Sequence, residues 1–329
     1  MIGIKKSNQP LTGWAVLLAV LLIAPHLFYP VFLMKVLCFA LFACAFNLLL
    51  GYVGLLSFGH AAFFGSAGYI TAYTVKALGF NPVLGILAGV ATSAGLGLII
   101  GWLAIRRSGI YFAMITLGLA QVIFFLSLQL PFTAGEDGIQ GVPRGILFGV
   151  FDLKNTLTMY HFVMVIFLIG FWVVYRTVNS PFGQILKAIR ENEPRATSLG
   201  YNVARYKLAA FVISAALSGL AGGTKSLVFQ LASLTDVNWH MSGEVVLMTL
   251  LGGMGTIFGP AVGALLVVTL NNYLAGFGSW VTMIIGAIFV TCVLAFRRGI
   301  VGEILKKVKT LSPDAADHRQ HERPSSPDS

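Results

Sequence analysis

Few side chains in this 329-residue chain could do chemistry, and none stands in a catalytic spacing. His26, His60, His161 and His240 are scattered over separate segments. There is no His-Glu-x-x-His and no His/Cys cluster at metal-ligand spacing, so a zinc centre has no donor set. A Gly-x-Ser-x-Gly elbow for a nucleophile is missing. So is a Gly-x-x-x-x-Gly-Lys-Ser/Thr loop that would cradle ATP phosphates. The chain is therefore expected to be no enzyme and to hold no cofactor or metal. What stands out instead is polarity inside apolar runs: Asn47, His60, Gln121, Asn271 and Asn272, with Glu244 near the start of a run. Polar groups at membrane depth are costly and so are functional candidates. His60 has two readings, bonding a substrate carboxylate or capping a hairpin. Glu244 follows Ser242-Gly243 and is expected to complement a helix N-terminus. Acids inside the apolar runs are nearly absent, which argues against a proton- or sodium-coupled relay. Energy then has to reach the chain from outside it.

The elements that must position these residues are set by composition. Hydrophobic residues make up 57% of the chain and charged ones 10%, with a mean hydropathy of +0.84. Soluble domains carry about 25% charged residues, so so apolar a chain belongs in a membrane. Cys38, Cys44 and Cys292 sit inside apolar runs and read as small core hydrophobes. A helix needs roughly 20 mostly apolar residues to cross the hydrocarbon. Runs at about 12–31, 33–50, 57–78, 83–105, 110–131, 159–177, 207–229 and 279–296 qualify. The stretch 244–276 is too long for one span and is interrupted by Gly252-Gly253-Met254-Gly255 and Gly259-Pro260, so two short segments are expected there.

Charge supports that division. Lys5-Lys6, Arg106-Arg107, the 176–207 loop and Arg297-Arg298 with the tail hold 17 of the 22 Lys and Arg. These regions share the cytoplasmic side only if 244–276 crosses twice. The same rule accounts for the net charge of +10, and nucleic acid is not an expected partner. The expected fold is an all-α, polytopic integral membrane protein of about ten (eight to ten) segments, both ends cytoplasmic. Residues 1–310 form the membrane domain, with an external loop at about 132–158 and a cytoplasmic loop at about 179–206. Residues 311–329 read as a disordered polar tail. Lys35, Lys76 and Lys225 fall near the external interface, where snorkelling to headgroups accounts for them.

Two glycine-rich hairpins are alike. Gly51-Tyr-Val-Gly54-Leu-Leu-Ser-Phe-Gly59-His60-Ala and Gly252-Gly-Met-Gly255-Thr-Ile-Phe-Gly259-Pro-Ala share Gly-x-x-Gly, a spacer, then Phe-Gly-(His or Pro)-Ala. Paired interruptions in two halves of a membrane protein point to a transport pathway. Close helix packing at tight turns is the other reading of the same glycines. In the 179–206 loop, Ser180-Pro181 starts a short helix with Ile185, Leu186 and Ile189 on one face. Asn192 or Glu193 before Pro194 starts a second, and Gly200 stops it. Two capped amphipathic helices need something to pack against: lipid headgroups, the protein's own core, or a soluble partner.

SPFGQILKAIRENEPRATSLGYNVARYKLAAFVISAALSGLAGG, starting at Ser180, resembles the most distinctive segment of branched-chain amino-acid type ABC transporter permeases, closest to their M-type subunit. NLLLGYVGLLSFGHAAFFGSAGYITA at 47–72, TAGEDGI at 133–139 and LLGGMGTIFGPAVGA at 250–264 are similar in the same order, so the likeness runs from about residue 35 to 305. The resemblance implies that the loop inserts into a cleft of a cytosolic ATPase through Ile189, Arg190, Glu193, Arg195, Ala196, Leu199 and Gly200. Glu193, Ala196 and Gly200 take the acidic–alanine–glycine positions, although Pro194-Arg195 here follows the glutamate where the family has alanines. It also implies a second, H-type permease, two cytosolic ATPases that bind the ATP, and a periplasmic substrate-binding protein in a bacterial inner membrane. Gly135, Glu136, Asp137 and Gly138 open the external loop, with Ala134 where the family carries a further glycine; the two acids either meet a basic patch on that binding protein or are simply solvated. The function implied is ATP-driven import of Leu, Ile, Val or related amino acids. The same architecture serves urea and short amides, and a stand-alone carrier or channel is the rival outside the family.

Overall fold

A computed structural model of the chain describes residues 9–147, 151–277, 280–295 and 299–303. Its helices run in the order α1 (Gln9–Leu27), α2 (Pro30–Tyr52), α3 (His60–Lys76), α4 (Pro82–Ala104), α5 (Ile110–Gln129), α6 (Thr156–Val178), α7 (Pro181–Glu191), α8 (Glu193–Ser198), α9 (Val203–Phe229), α10 (Trp239–Gly252), α11 (Gly259–Leu274) and α12 (Trp280–Ala295). Five of them (α2, α4, α5, α6 and α9) are long and apolar enough to cross a membrane. The apolar stretch 244–276 divides: α10 ends at Gly252, the chain turns through residues 253–258, and α11 begins at Gly259. Fourteen-residue α10 starts at Trp239, ahead of the expected position, because Asn238 accepts a hydrogen bond from the His240 N–H and caps it. Glu244 therefore lies in its second turn and does not complement the N-terminus as expected. At about 1.5 Å per residue α10 is only about 21 Å long, less than the roughly 30 Å hydrocarbon core.

α2 and α9 form the centre. α2 is buried along almost its whole length, with Phe42 and Phe46 fully enclosed. α9 packs on α3 and α4 through small residues, as membrane helices do where no hydrophobic force draws them together. A side chain on Gly222 would collide with the Phe64 carbonyl of α3. The outer faces of α4 and α5 remain apolar and exposed, with Trp102, Tyr111, Met114 and Phe125 among them.

Two buried polar arrangements hold the helices at the end opposite α7 and α8. Pro25 inside α1 has no N–H, which frees the Leu21 carbonyl one turn back. Tyr160 Oη of α6 donates to that carbonyl at 2.7 Å. Lys225 of α9 donates to both carboxylate oxygens of Asp236 at 2.6 Å, with side-chain exposures of 13% and 8%. Lys225 therefore does not snorkel to an interface as expected; it is turned inward by a partner eleven residues on. Beside it, β1 (Ile139–Gln140) pairs antiparallel with β4 (Leu231–Ala232), and β2 (Ile146–Leu147) pairs with β3 (Phe151–Asp152). These two small sheets are additions to the all-α expectation. Cys38 and Cys44 are buried and free. The tail expected at 311–329 and the basic pairs Lys5-Lys6 and Arg297-Arg298 lie outside the described residues.

Candidate functional site

The loop between α6 and α9 is a compact, capped unit. Ser180 Oγ accepts the Gly183 N–H at 3.3 Å, and Pro181 fills the first helical position of α7. Asn192 Oδ1 accepts the Arg195 N–H at 3.0 Å and opens α8. Gly200, at φ +87°, closes α8: its N–H donates to Thr197 O at 2.9 Å, and Tyr201 N–H donates to Ala196 O at 3.2 Å. Asn202 Oδ1 then accepts from Arg205 N–H and starts α9. The loop residues named from sequence divide into two sets. Ile189 and Ala196 face inward and pack with Val203. Glu193 is pinned to the nearly buried Lys207 at 2.7 Å. Arg195, Leu199 and Gly200 are exposed, Leu199 by 69%, with Tyr201 exposed beside them.

Above this unit the two glycine turns meet. Asn47, buried one helical turn before Gly51, donates through Nδ2 to Thr256 O at 2.9 Å and accepts the Gly255 N–H through Oδ1 at 3.1 Å. A single amide thereby clamps the second hairpin to the first. Arg190, which the resemblance put among the ATPase-contact residues, turns its guanidinium to the hairpins: its Nη1, from the last turn of α7, donates to the Gly51 carbonyl. That oxygen belongs to the last turn of α2 and has no partner within its own helix, so a cation is favoured there both as donor and by the helix dipole. A hydrogen bond to a charged group contributes about 1.5–3 kcal/mol, and the exposure of Arg190 places this one at the low end. Room is tight around it. A Cβ on Gly255 would stand 3.4 Å from Arg190 Nη1, one on Gly54 3.1 Å from Arg190 Cγ, and one on Gly51 2.7 Å from the Gly255 nitrogen. Gly54 (φ +80°) and Gly255 (φ +74°) also occupy backbone conformations that glycine favours.

The remaining pathway residues serve packing and capping in this conformation. Gly252 and Gly259 abut each other's backbone across the second turn. Gly59 N–H donates to Ser57 Oγ at 3.1 Å and Gly259 N–H to Thr256 Oγ1 at 3.1 Å, the same device in both hairpins. The Ala61 N–H, an orphan donor in the first turn of α3, is taken by Ser242 Oγ of α10 at 2.9 Å, a second tie between the halves. His60 is fully buried among Phe46, Phe63 and Phe211. Ser214 Oγ gives its proton to Ala45 O at 2.6 Å, so the 2.9 Å contact to His60 Nε2 requires an Nε2–H donor. Ser214, Ser242, Thr256 and Lys207 were not among the residues singled out from sequence; only Lys207, a charge opening an apolar run, carries a local signal. At the opposite end Gly135 and Gly138 turn the chain at positive φ, while Glu136 and Asp137 are exposed.

Apolar helices broken at paired glycine turns, over a capped helical loop with an exposed edge, make a multi-pass membrane protein of the transport class. The chain matches the family described as branched-chain amino acid transport system, permease component, over residues 31–293, and it belongs to that family. It is 28% identical to the high-affinity branched-chain amino acid transport system permease protein LivM of Salmonella typhimurium over 82% of this chain and 69% of that one. The Escherichia coli K12 LivM is 27% identical over 78% of this chain, which spans 65% of that relative's length. The ribose import permease protein RbsC of Bacillus subtilis is 28% identical over 67% of this chain and 70% of its own. No solved structure matches significantly.

Proposed function

We propose that the chain is a membrane subunit of an ATP-driven importer for branched-chain or related amino acids in a bacterial inner membrane. It crosses ten times with both ends cytoplasmic, which puts α7, α8 and both glycine turns on the cytoplasmic side. A second, H-type permease completes the pathway, two cytosolic ATPases bind the ATP, and a periplasmic binding protein delivers substrate to the loop containing Glu136 and Asp137. The observation that carries this reading is the exposed edge of Arg195, Leu199 and Tyr201, held by three capped helix starts on a unit wedged under both hairpins.

Affinity purification of the tagged chain from native membranes tests it. Two ATPases and a second permease are expected to accompany the chain; a chain that emerges alone and stable overturns the reading in favour of a carrier or channel. Uptake into proteoliposomes with leucine, isoleucine, valine, urea and acetamide then fixes the solute. Ribose joins that panel because a relative is named for its import.

A further inference from the structure

We infer that Arg190 is the positioning residue that joins α7 to the two glycine turns, so that both hairpins move as one when the α7–α8 unit is displaced. The inference rests on the reading of that unit as the ATPase contact, and goes beyond it by naming the internal link. Three independent observations meet at this side chain. Its guanidinium holds the orphan Gly51 carbonyl at the end of α2. Its aliphatic stem fills the space that a side chain on Gly54 would take. Its Nη1 also stands 3.4 Å from where a side chain on Gly255 would begin, at the head of the second turn, which Asn47 already binds to the first. On the α7 side Leu186 is buried against Leu49, Val53 and Leu55, Ile189 packs on Ala196 and Val203, and Lys187 Nζ stands 5.7 Å over the ring of Tyr52, the last residue of α2. The second turn is braced from beyond as well, since Gly299 packs so closely that a side chain on it would collide with the Gly253 backbone. A displacement of α7 thus reaches α2 and the Gly253–Phe258 turn through Arg190.

Arg190→Ala, reconstituted as the full complex in liposomes, separates this from simple docking. The expected result is that the ATPases still co-purify and hydrolyse ATP, while ATP consumed per solute imported rises at least tenfold. Arg190→Lys, which can still donate to the Gly51 carbonyl from a single point, is expected to restore the ratio to within about threefold, and it carries the test if the alanine variant does not fold. Hydrolysis and transport falling together at an unchanged ratio overturns the inference. Loss of the ATPases from Arg190→Ala alone also overturns it, by making Arg190 a surface contact. Failure of the underlying reading looks different, because the unsubstituted chain would then bring down no ATPases at all.

Discussion

At the scale of single residues, the buried polar atoms explain the arrangement better than the glycines do. Asn47, itself buried, satisfies a donor and an acceptor of the half-buried second turn at once. Asn47→Ala leaves the Gly255 N–H and the Thr256 carbonyl unpaired, at about 1–3 kcal/mol each. The purified chain is expected to melt several degrees lower, with protease cleavage appearing in the 253–258 turn; an unchanged melting temperature shows that the clamp contributes nothing. Asn47→Asp is expected to behave almost as badly, since a carboxylate can accept from Gly255 but cannot donate to Thr256 O.

At the scale of elements, the α7–α8 unit is rigid because each helix start is capped by its own side chain and α8 is closed by a left-handed glycine. No atom lies within 4 Å of where a Gly200 side chain would begin, so replacement there acts through the backbone alone. A β-branched residue at this φ costs about 1–2 kcal/mol. Gly200→Val is expected to insert and assemble normally, to become protease-sensitive near Leu199, and to lose most substrate-stimulated ATPase activity. Gly200→Asn, which tolerates the left-handed region, is expected to retain it. Stimulated activity equal to the unsubstituted complex in Gly200→Val would remove α8 from the coupling path. The salt bridge from Glu193 to Lys207 belongs to the same scale: it fixes α8 on α9 and leaves Glu193 engaged within the chain.

At the scale of the whole molecule, the arrangement has two ends with different chemistry. One carries α7, α8 and both glycine turns; the other carries the paired strands, the Lys225–Asp236 ion pair and exposed Glu136 and Asp137. The proposed ten crossings with cytoplasmic termini predict how the ends face. In a cysteine-free background, Glu136→Cys is expected to react with an impermeant maleimide added to intact cells. Ser7→Cys, Ser198→Cys and Ser326→Cys are expected to react only after the membrane is opened. Labelling of Ser326→Cys in intact cells, with Ser198→Cys protected, would mean that the 244–276 stretch crosses once and that the count is nine.

Local chemistry determined much of this. The apolar runs, the break of 244–276 at its glycines, the start of α7 at Ser180 and that of α8 at Asn192 or Glu193 were legible in the sequence, because each is decided within a few residues by hydropathy, a cap or a left-handed glycine; the structure settles on Asn192. The partners were not. Asn47 meets a carbonyl 209 residues away, Arg190 a carbonyl 139 residues away, and Ser242 caps a helix that begins 182 positions earlier. In a soluble helix the polar stripe would have shown which face turns inward. Here lipid-facing and core-facing sides are equally apolar, so periodicity carries no such information. Lys225 shows the consequence: its place near a helix end was readable, while its burial against Asp236 was not, since only the folded α9–α10 connection brings that carboxylate within reach. The sequence by itself determined where the helices break and where most of them start and stop, the start of α10 at Trp239 excepted; the tertiary structure alone decided which buried polar groups answer one another, because in hydrocarbon each must find a partner wherever the packing places it.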